Sequence, residues 1–202
     1  MTAKRTAVAL FFCIFAAAFA LQSGELGSWD AGNRLQVTRW LWTDAPAVND
    51  PGGWFGVYGR NGQRYAWYGL GQSLWMSPGY LVAAPLAQAA FSDARMAGKF
   101  EEIAVTYLTF PLTSALIVTV LFALLLRLGF SIPVAGLGNL GVRQQACAPE
   151  RSESAQENSV LLLCMVTSLW AVASGVVSGR YSWWLLVGFA TGFGLLTRLT
   201  FA

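Results

Sequence analysis

The sequence predicts an all-α integral membrane protein with about four transmembrane helices and an extracytoplasmic loop that carries interfacial helices and a small hairpin. Of its 202 residues, 55% are hydrophobic and only 11% are charged, whereas an ordinary soluble domain carries about 25% charge. The apolar residues also fall into long runs, which are separated by polar segments and by segments containing Pro and Gly.

The composition argues against several kinds of function. The net charge is only +3 and the basic residues are scattered, so nucleic acid is not an expected partner. The chain has no histidine, which is the commonest transition-metal ligand and the usual proton shuttle near neutral pH. Cys13, Cys147 and Cys164 lack metal-binding or redox spacing and are interpreted as small apolar fillers. No cofactor is predicted, and the sequence gives no support for a divalent metal.

The first predicted element, 1–21, is a transmembrane helix or a signal-like anchor. Lys4 and Arg5 precede the apolar run Ala7–Leu21, which is shorter than the roughly 20 residues of a typical span. Ala18-Phe19-Ala20 also fits a signal-peptidase site. In either case the basic residues place the N-terminus in the cytoplasm and the following residues outside it.

The predicted extracytoplasmic region, 22–102, is rich in Trp and Tyr, which favour the headgroup level of a membrane. Asp30–Trp42 is predicted to be a short helix and Asp44–Gly53 a loop. The stretch FGVYGRNGQRYAWYG, 55–69, predicts a hairpin, because Asn61-Gly62 is a favoured two-residue turn. The apolar run Ser73–Phe91 contains two prolines and is predicted to be a bent interfacial helix, with a re-entrant or spanning segment as the alternative.

Three further segments complete the predicted topology. Residues 103–130 form a transmembrane helix that ends near Arg127, and 131–158 form a cytoplasmic loop. Residues 159–202 form a transmembrane helical hairpin, in which small residues permit close helix packing. These small residues are Gly188, Gly192 and Gly194.

Asp30 and Arg34 are the first candidate site residues. They are four positions apart, so a helix places them on one face. The alternative for Asp30 is a structural role as the N-cap of this helix. Glu25 is a rival acid, interpreted as a solvated loop charge.

Arg60 and Arg64 flank the predicted turn, and their guanidinium groups suit phosphate oxygens. The alternative is that both face lipid headgroups. Tyr65 and Tyr68 are candidates for hydrogen bonds to a sugar or phosphate, or are interfacial anchors. Glu101 and Glu102 are interpreted as acids near a helix N-terminus, where the helix dipole favours them.

Several stretches in order resemble one family. A basic start and a first span are followed by SWDAGNRLQVTRWLW, by GRNGQRYAWYGLGQSLWMSPGYLVAAP, by a span ending LLLRLGFS and by LLVGFATGFGLLTRLTFA. This order resembles the N-terminal part of bacterial GT-C-type membrane glycosyltransferases, around glycosyltransferase family 39 and the dolichyl-phosphate-mannose mannosyltransferases. The resemblance covers roughly 1–130 and 182–202.

The resemblance implies a partial GT-C-like architecture in the bacterial inner membrane and transfer of a sugar from a polyprenyl-phosphate donor to an extracytoplasmic acceptor. It implies that Asp30 is the catalytic base. Many members have a lysine where this chain has Trp67, so the cationic contact would come from Arg60 or Arg64. The implied substrate-binding residues are Arg34, Arg60, Arg64, Tyr65, Tyr68 and Gln72.

Family members continue for several hundred residues with more spans. The resemblance therefore implies an N-terminal fragment, which a missing C-terminal part or a partner subunit would complete and which is expected to contact membrane lipids. The alternative is a non-catalytic multi-span membrane protein whose aromatic loop binds lipid or a partner protein.

Overall fold

The computed structural model describes residues 2–49, 53, 55–60, 62–138 and 152–198, and most of them are helical. The helices, in chain order, are α1 (Ala3–Leu21), α2 (Trp29–Trp42), α3 (Gly71–Ala90), α4 (Ala94–Arg127), α5 (Ser152–Ser178) and α6 (Tyr181–Arg198). A short helical segment also covers 132–138. Strands β1 (Val57–Tyr58) and β2 (Arg64–Tyr65) form an antiparallel pair. Cys147 and most of the predicted cytoplasmic loop lie outside the described residues.

Three helices in the described ranges are long and apolar enough to cross a membrane. They are α1 with 19 residues, α4 with 34 residues and the 21-residue part Asn158–Ser178 of α5. The chain is therefore an all-α membrane protein, as predicted. The last helix, α6, has 18 residues and is not among these three, so the predicted fourth span stays a prediction.

Two compact units make up the chain, and the first comprises Met1–Gln22 and Phe110–Gly194. Within it, Ile14 of α1 packs with Ala115 and Val118 of α4, and Phe11 and Phe15 lie against this cluster. These side chains recur at helical spacing, so each helix presents one apolar stripe to the other.

Helices α5 and α6 pack closely within the same unit. A Cβ added at Gly194 would lie 3.2 Å from the Cβ of Cys164, and one added at Gly175 would lie 3.2 Å from the Cβ of Trp183. Gly194 therefore packs as predicted, whereas Gly188 and Gly192 have no atom within 4 Å of such a Cβ among the described residues. Gly175, on the other helix, supplies a close approach that the sequence interpretation did not include.

The second unit comprises Ser23–Thr109 and Leu195–Ala202, and the pairing of α2 with α3 is central to it. Polar groups join the two helices at regular intervals. The Thr38 hydroxyl donates to the Ser73 carbonyl at 3.1 Å, and the Trp42 indole N–H donates to the Ser77 hydroxyl at 2.8 Å. Because these residues are four apart on each helix, they lie on one face.

Two local predictions differ from the structure. Helix α4 begins at Ala94, well before residue 103, because the charged residues before the apolar run extend the helix. In the hairpin, the Gly62 N–H donates to the Gly59 carbonyl at 3.0 Å. The turn therefore closes at Gly62, with φ +74°, and Gly62 is not a central residue; Asn61 lies outside the described residues.

Candidate functional site

The first turn of α2 positions Asp30. Ser28 is the N-cap, since its hydroxyl accepts a hydrogen bond from the Ala31 N–H at 3.1 Å. Asp30 is the second residue of the helix, so the alternative that made it the N-cap is wrong. A serine in the extended conformation two residues earlier satisfies the backbone donor instead. The exposed Asp30 carboxylate is thus left for other contacts.

Tyr68 brings Asp30 and Arg34 together. Its hydroxyl donates to Oδ1 of Asp30, and the Arg34 guanidinium lies over its ring, 4.4 Å from the ring centroid. Arg34 is only 2% exposed. The site therefore has an accessible carboxylate, a phenol that orients it and a buried cation behind the ring, where stacking on an aromatic face is favourable.

An aromatic cluster packs against Tyr68. At its centre is Phe55, which is 1% exposed. Its ring centroid lies 4.9 Å from that of Trp29, 5.3 Å from that of Trp67 and 5.0 Å from that of Tyr68. These edge-to-face and tilted arrangements are the favoured ones for aromatic pairs, so Tyr68 is held on two sides.

The segment after Tyr68 approaches the last turn of α6 very closely. A Cβ at Gly69 would fall 2.9 Å from the carbonyl carbon of Thr197, and closer still to the carbonyl oxygen of Leu196. A Cβ at Gly71 would fall 2.7 Å from the backbone nitrogen of Thr197. Gln72 follows, 1% exposed, and its Oε1 has no hydrogen-bond partner among the described residues. Only glycine fits at positions 69 and 71. This close packing therefore fixes the position of the backbone that follows Tyr68.

The remaining predicted residues lie on the hairpin. Arg64 donates to the Tyr58 hydroxyl at 2.9 Å and its guanidinium lies 5.2 Å from the centroid of that ring. The Tyr65 ring packs edge-to-face on Trp40 at 5.7 Å. Arg60 is exposed in the turn. Tyr68 therefore brings Asp30 and Arg34 together, whereas the contacts of Arg64 described above lie within the hairpin.

A second polar cluster was missed by sequence reasoning. Arg39 of α2 binds Glu101 of α4, with both Nε and Nη2 3.0 Å from Oε2. The nearby Tyr80 is buried, and this burial, reinforced by the negative charge of Glu101, raises the pKa of its phenol above 10.0. Glu101 lies seven residues after the first residue of α4, Ala94. The helix therefore begins about two turns before the N-terminus that was predicted near Glu101. Neither local sequence indicates this pair, because Arg39 and Glu101 are 62 positions apart.

The Asp30 group can act as a base or as a polar ligand-binding site, because its carboxylate is exposed while Tyr68 beside it is half-buried and Arg34 behind the ring is buried. The structure offers no group of three or more Cys, Asp or Glu side chains that could hold a metal within the part of the chain it describes. Comparison with protein-family models, curated proteins and solved structures finds no match to this chain.

Proposed function

We propose that this chain carries the sugar-transfer site of a membrane glycosyltransferase that uses a polyprenyl-phosphate sugar as donor. The observation that supports this function is the exposed Asp30 carboxylate, which receives the hydroxyl of Tyr68 beside the buried guanidinium of Arg34. The chemistry of the reaction needs one accessible base, and this arrangement supplies it.

In the proposed reaction, Asp30 takes the proton of the acceptor hydroxyl as its oxygen attacks the anomeric carbon of the donor. The bond between that carbon and the phosphate oxygen breaks, and the polyprenyl phosphate leaves as an anion. A phosphate is a good leaving group, so no general acid is required. The balance of the step is one glycosidic bond formed, one glycosyl-phosphate bond broken and one proton transferred to Asp30.

Tyr68 and Arg34 position the base in this proposal. The hydroxyl of Tyr68 occupies Oδ1 of Asp30, which leaves Oδ2 for the acceptor. Arg34 fixes the ring of Tyr68 from behind. Direct ligand contacts by Arg34, Arg60, Arg64, Tyr65, Tyr68 and Gln72 stay predictions.

We place the site at the extracytoplasmic surface of the bacterial inner membrane, with the N-terminus in the cytoplasm. Lys4 and Arg5, in the first turn of α1, support this orientation. Large aromatic side chains of the second unit are exposed, with Trp29 at 60% and Trp42 at 51%, as is typical of rings at the headgroup level.

The test compares Asp30→Asn with Glu25→Gln in membranes that contain the chain and a radiolabelled polyprenyl-phosphate hexose. Glu25 is a matched control, because its side chain is 68% exposed and it precedes α2. Loss of the base should lower the transfer rate by about 100-fold or more, while the control keeps the parent rate. Tyr68→Phe, which retains the ring, should give an intermediate rate. Equal rates for the parent and Asp30→Asn would reject the proposal.

A second candidate function is lipid or partner binding without catalysis. The exposed tryptophans named above favour it, because they would seat the second unit at a membrane surface without any chemistry. Two results together would favour this alternative. The parent chain would transfer no hexose from any donor tested, and its binding to vesicles would be lost when the exposed tryptophans are replaced.

A further inference from the structure

An open cleft lies at the opposite end of α2 from Asp30. It has a volume of about 810 Å³, within the range of small-molecule sites. Trp40, on its wall, is ten residues after Asp30, which corresponds to about 15 Å along a helix. The aromatic, charged and amide side chains that line the cleft are Trp40, Asp44, Asn49, Tyr58, Gln63 and Arg64.

The walls of this cleft are held by contacts within the second unit. The Gln36 side-chain amide donates to the Pro46 carbonyl at 2.6 Å, which ties the loop after α2 back to the helix. The Thr43 hydroxyl donates to the Arg39 carbonyl at 2.7 Å and accepts from the Ala45 N–H at 3.2 Å. A ligand would therefore meet a largely preformed surface, which lowers the entropic cost of binding.

The lining combines aromatic faces with planar polar groups. Tyr58 is 71% exposed, and Trp40 contributes an indole. Carboxylate, amide and guanidinium groups beside them can make paired hydrogen bonds to adjacent hydroxyls. A sugar ring has the complementary surfaces, since it presents an apolar C–H face and a rim of hydroxyls.

The charges of the cleft favour a neutral ligand. Among the described residues that line it, one acid, Asp44, accompanies one base, Arg64. The base already donates to the Tyr58 hydroxyl and lies against its ring. An anion would meet the carboxylate without a surplus of positive charge, whereas neutral hydroxyls can donate to the acid and accept from the base.

We propose that this cleft binds a neutral saccharide, separately from the group around Asp30. The proposal goes beyond the transfer reaction and does not depend on it, because binding can be measured without any donor. It also gives Arg64 a role in holding hydroxyls of a neutral sugar, in place of the predicted contact with a phosphate.

Saturation-transfer difference NMR on the purified full chain tests this proposal. The chain is held in a zwitterionic detergent without a sugar headgroup, which would otherwise compete. Methyl α-mannoside and maltotriose serve as neutral probes, and glucose 1-phosphate and inorganic phosphate serve as anionic ones at constant ionic strength. We expect saturation transfer to the neutral sugars, with dissociation constants in the millimolar range, and no displacement of these sugars by phosphate.

Two variants at exposed positions locate the binding. Asn49→Ala removes one amide and should weaken the affinity by about 3- to 10-fold, as expected for a neutral hydrogen bond. Tyr58→Ala removes an aromatic face and should weaken it at least as much. Gln88→Ala and Tyr181→Ala are the matched controls, since Gln88 is exposed outside this cleft and Tyr181 is 87% exposed on α6.

Three outcomes would overturn the proposal. They are the absence of saturation transfer to any neutral sugar at tens of millimolar, displacement of the sugars by phosphate, and equal affinity of the cleft variants and the parent chain. A null result for sugar transfer in membranes, with normal sugar binding here, would reject only the proposed enzyme function.

Discussion

The close approach of Gly71 to the last turn of α6 gives the sharpest stability prediction. In Gly71→Ala, the new Cβ would lie 2.7 Å from the Thr197 nitrogen and 2.8 Å from its Cα. Ordinary van der Waals contact begins at 3.4 Å, so the two segments must separate by about 0.7 Å. The new Cβ would also meet the Thr197 hydroxyl, which can rotate away, but no side-chain rotation can relieve the overlap with the two backbone atoms.

The free energy of this separation follows from two opposing effects. Overpacking costs about 1–3 kcal/mol. Replacing glycine by alanine in a helix returns at most about 1 kcal/mol, and less here because Gly71 is the first residue of α3. For a chain of this length, each kcal/mol lowers Tm by about 2–4 °C. The net expectation is a loss of several degrees.

Thermal unfolding of the purified chain in detergent, followed by circular dichroism at a fixed scan rate, provides the assay. Gly32→Ala is the matched control, because it is a glycine inside α2 with no atom within 4 Å of an added Cβ among the described residues. Its Tm should stay the same or rise. If Gly71→Ala unfolds at the parent Tm, the close approach is absent in the molecule and the reasoning fails.

Three further predictions concern the second unit. Glu101→Gln removes the charged partner of Arg39 and should destabilise the chain by about 1.5–3 kcal/mol, seen as a lower Tm, while Glu25→Gln leaves Tm within error. The folded-state pKa of Tyr80 is raised above its usual value of 10.0, so its contribution to stability is constant below pH 10.0 and is lost as the pH rises through the raised pKa. A Tm difference between the parent and Tyr80→Phe that does not change above pH 10 would contradict this. Ser28→Ala removes the N-cap of α2 and should cost about 1 kcal/mol, whereas an unchanged unfolding midpoint in denaturant would show that the cap contributes nothing.

The elements that could be predicted from the sequence are those with a strong local signal. The apolar run before Leu21 predicts α1, and DAGNRLQVTRWLW predicts α2 to within one residue of its observed bounds. Strand-forming residues on both sides of a glycine-containing turn predict the hairpin. In each case the residues that determine the element lie within about fifteen positions of one another, so the element can be predicted without knowledge of any tertiary contact.

What could not be predicted depends on contacts between distant residues or on a choice between equal local signals. Ser28 and Asp30 are both good N-cap residues, and only the direction from which the chain enters α2 decides between them. Arg39 and Glu101 are 62 positions apart, and nothing in either local sequence indicates the other. The start of α4 was predicted too late because hydropathy indicates where the apolar part of a helix begins. The charged first turns of the same helix give no hydropathy signal.

The polar, glycine-rich stretch between Gly59 and Gln72 owes its composition to several different constraints. Gly62 has a positive φ at the end of the turn, and Gly69 and Gly71 allow the backbone of α6 to approach. Between them, Tyr68 contacts the two charged residues at the start of α2. Because the glycines fix the path of the chain on both sides of Tyr68, a substitution at Gly71 should change the position of this ring as well as stability. The Asp30 group would then lose its supporting hydrogen bond without any change to Asp30 itself.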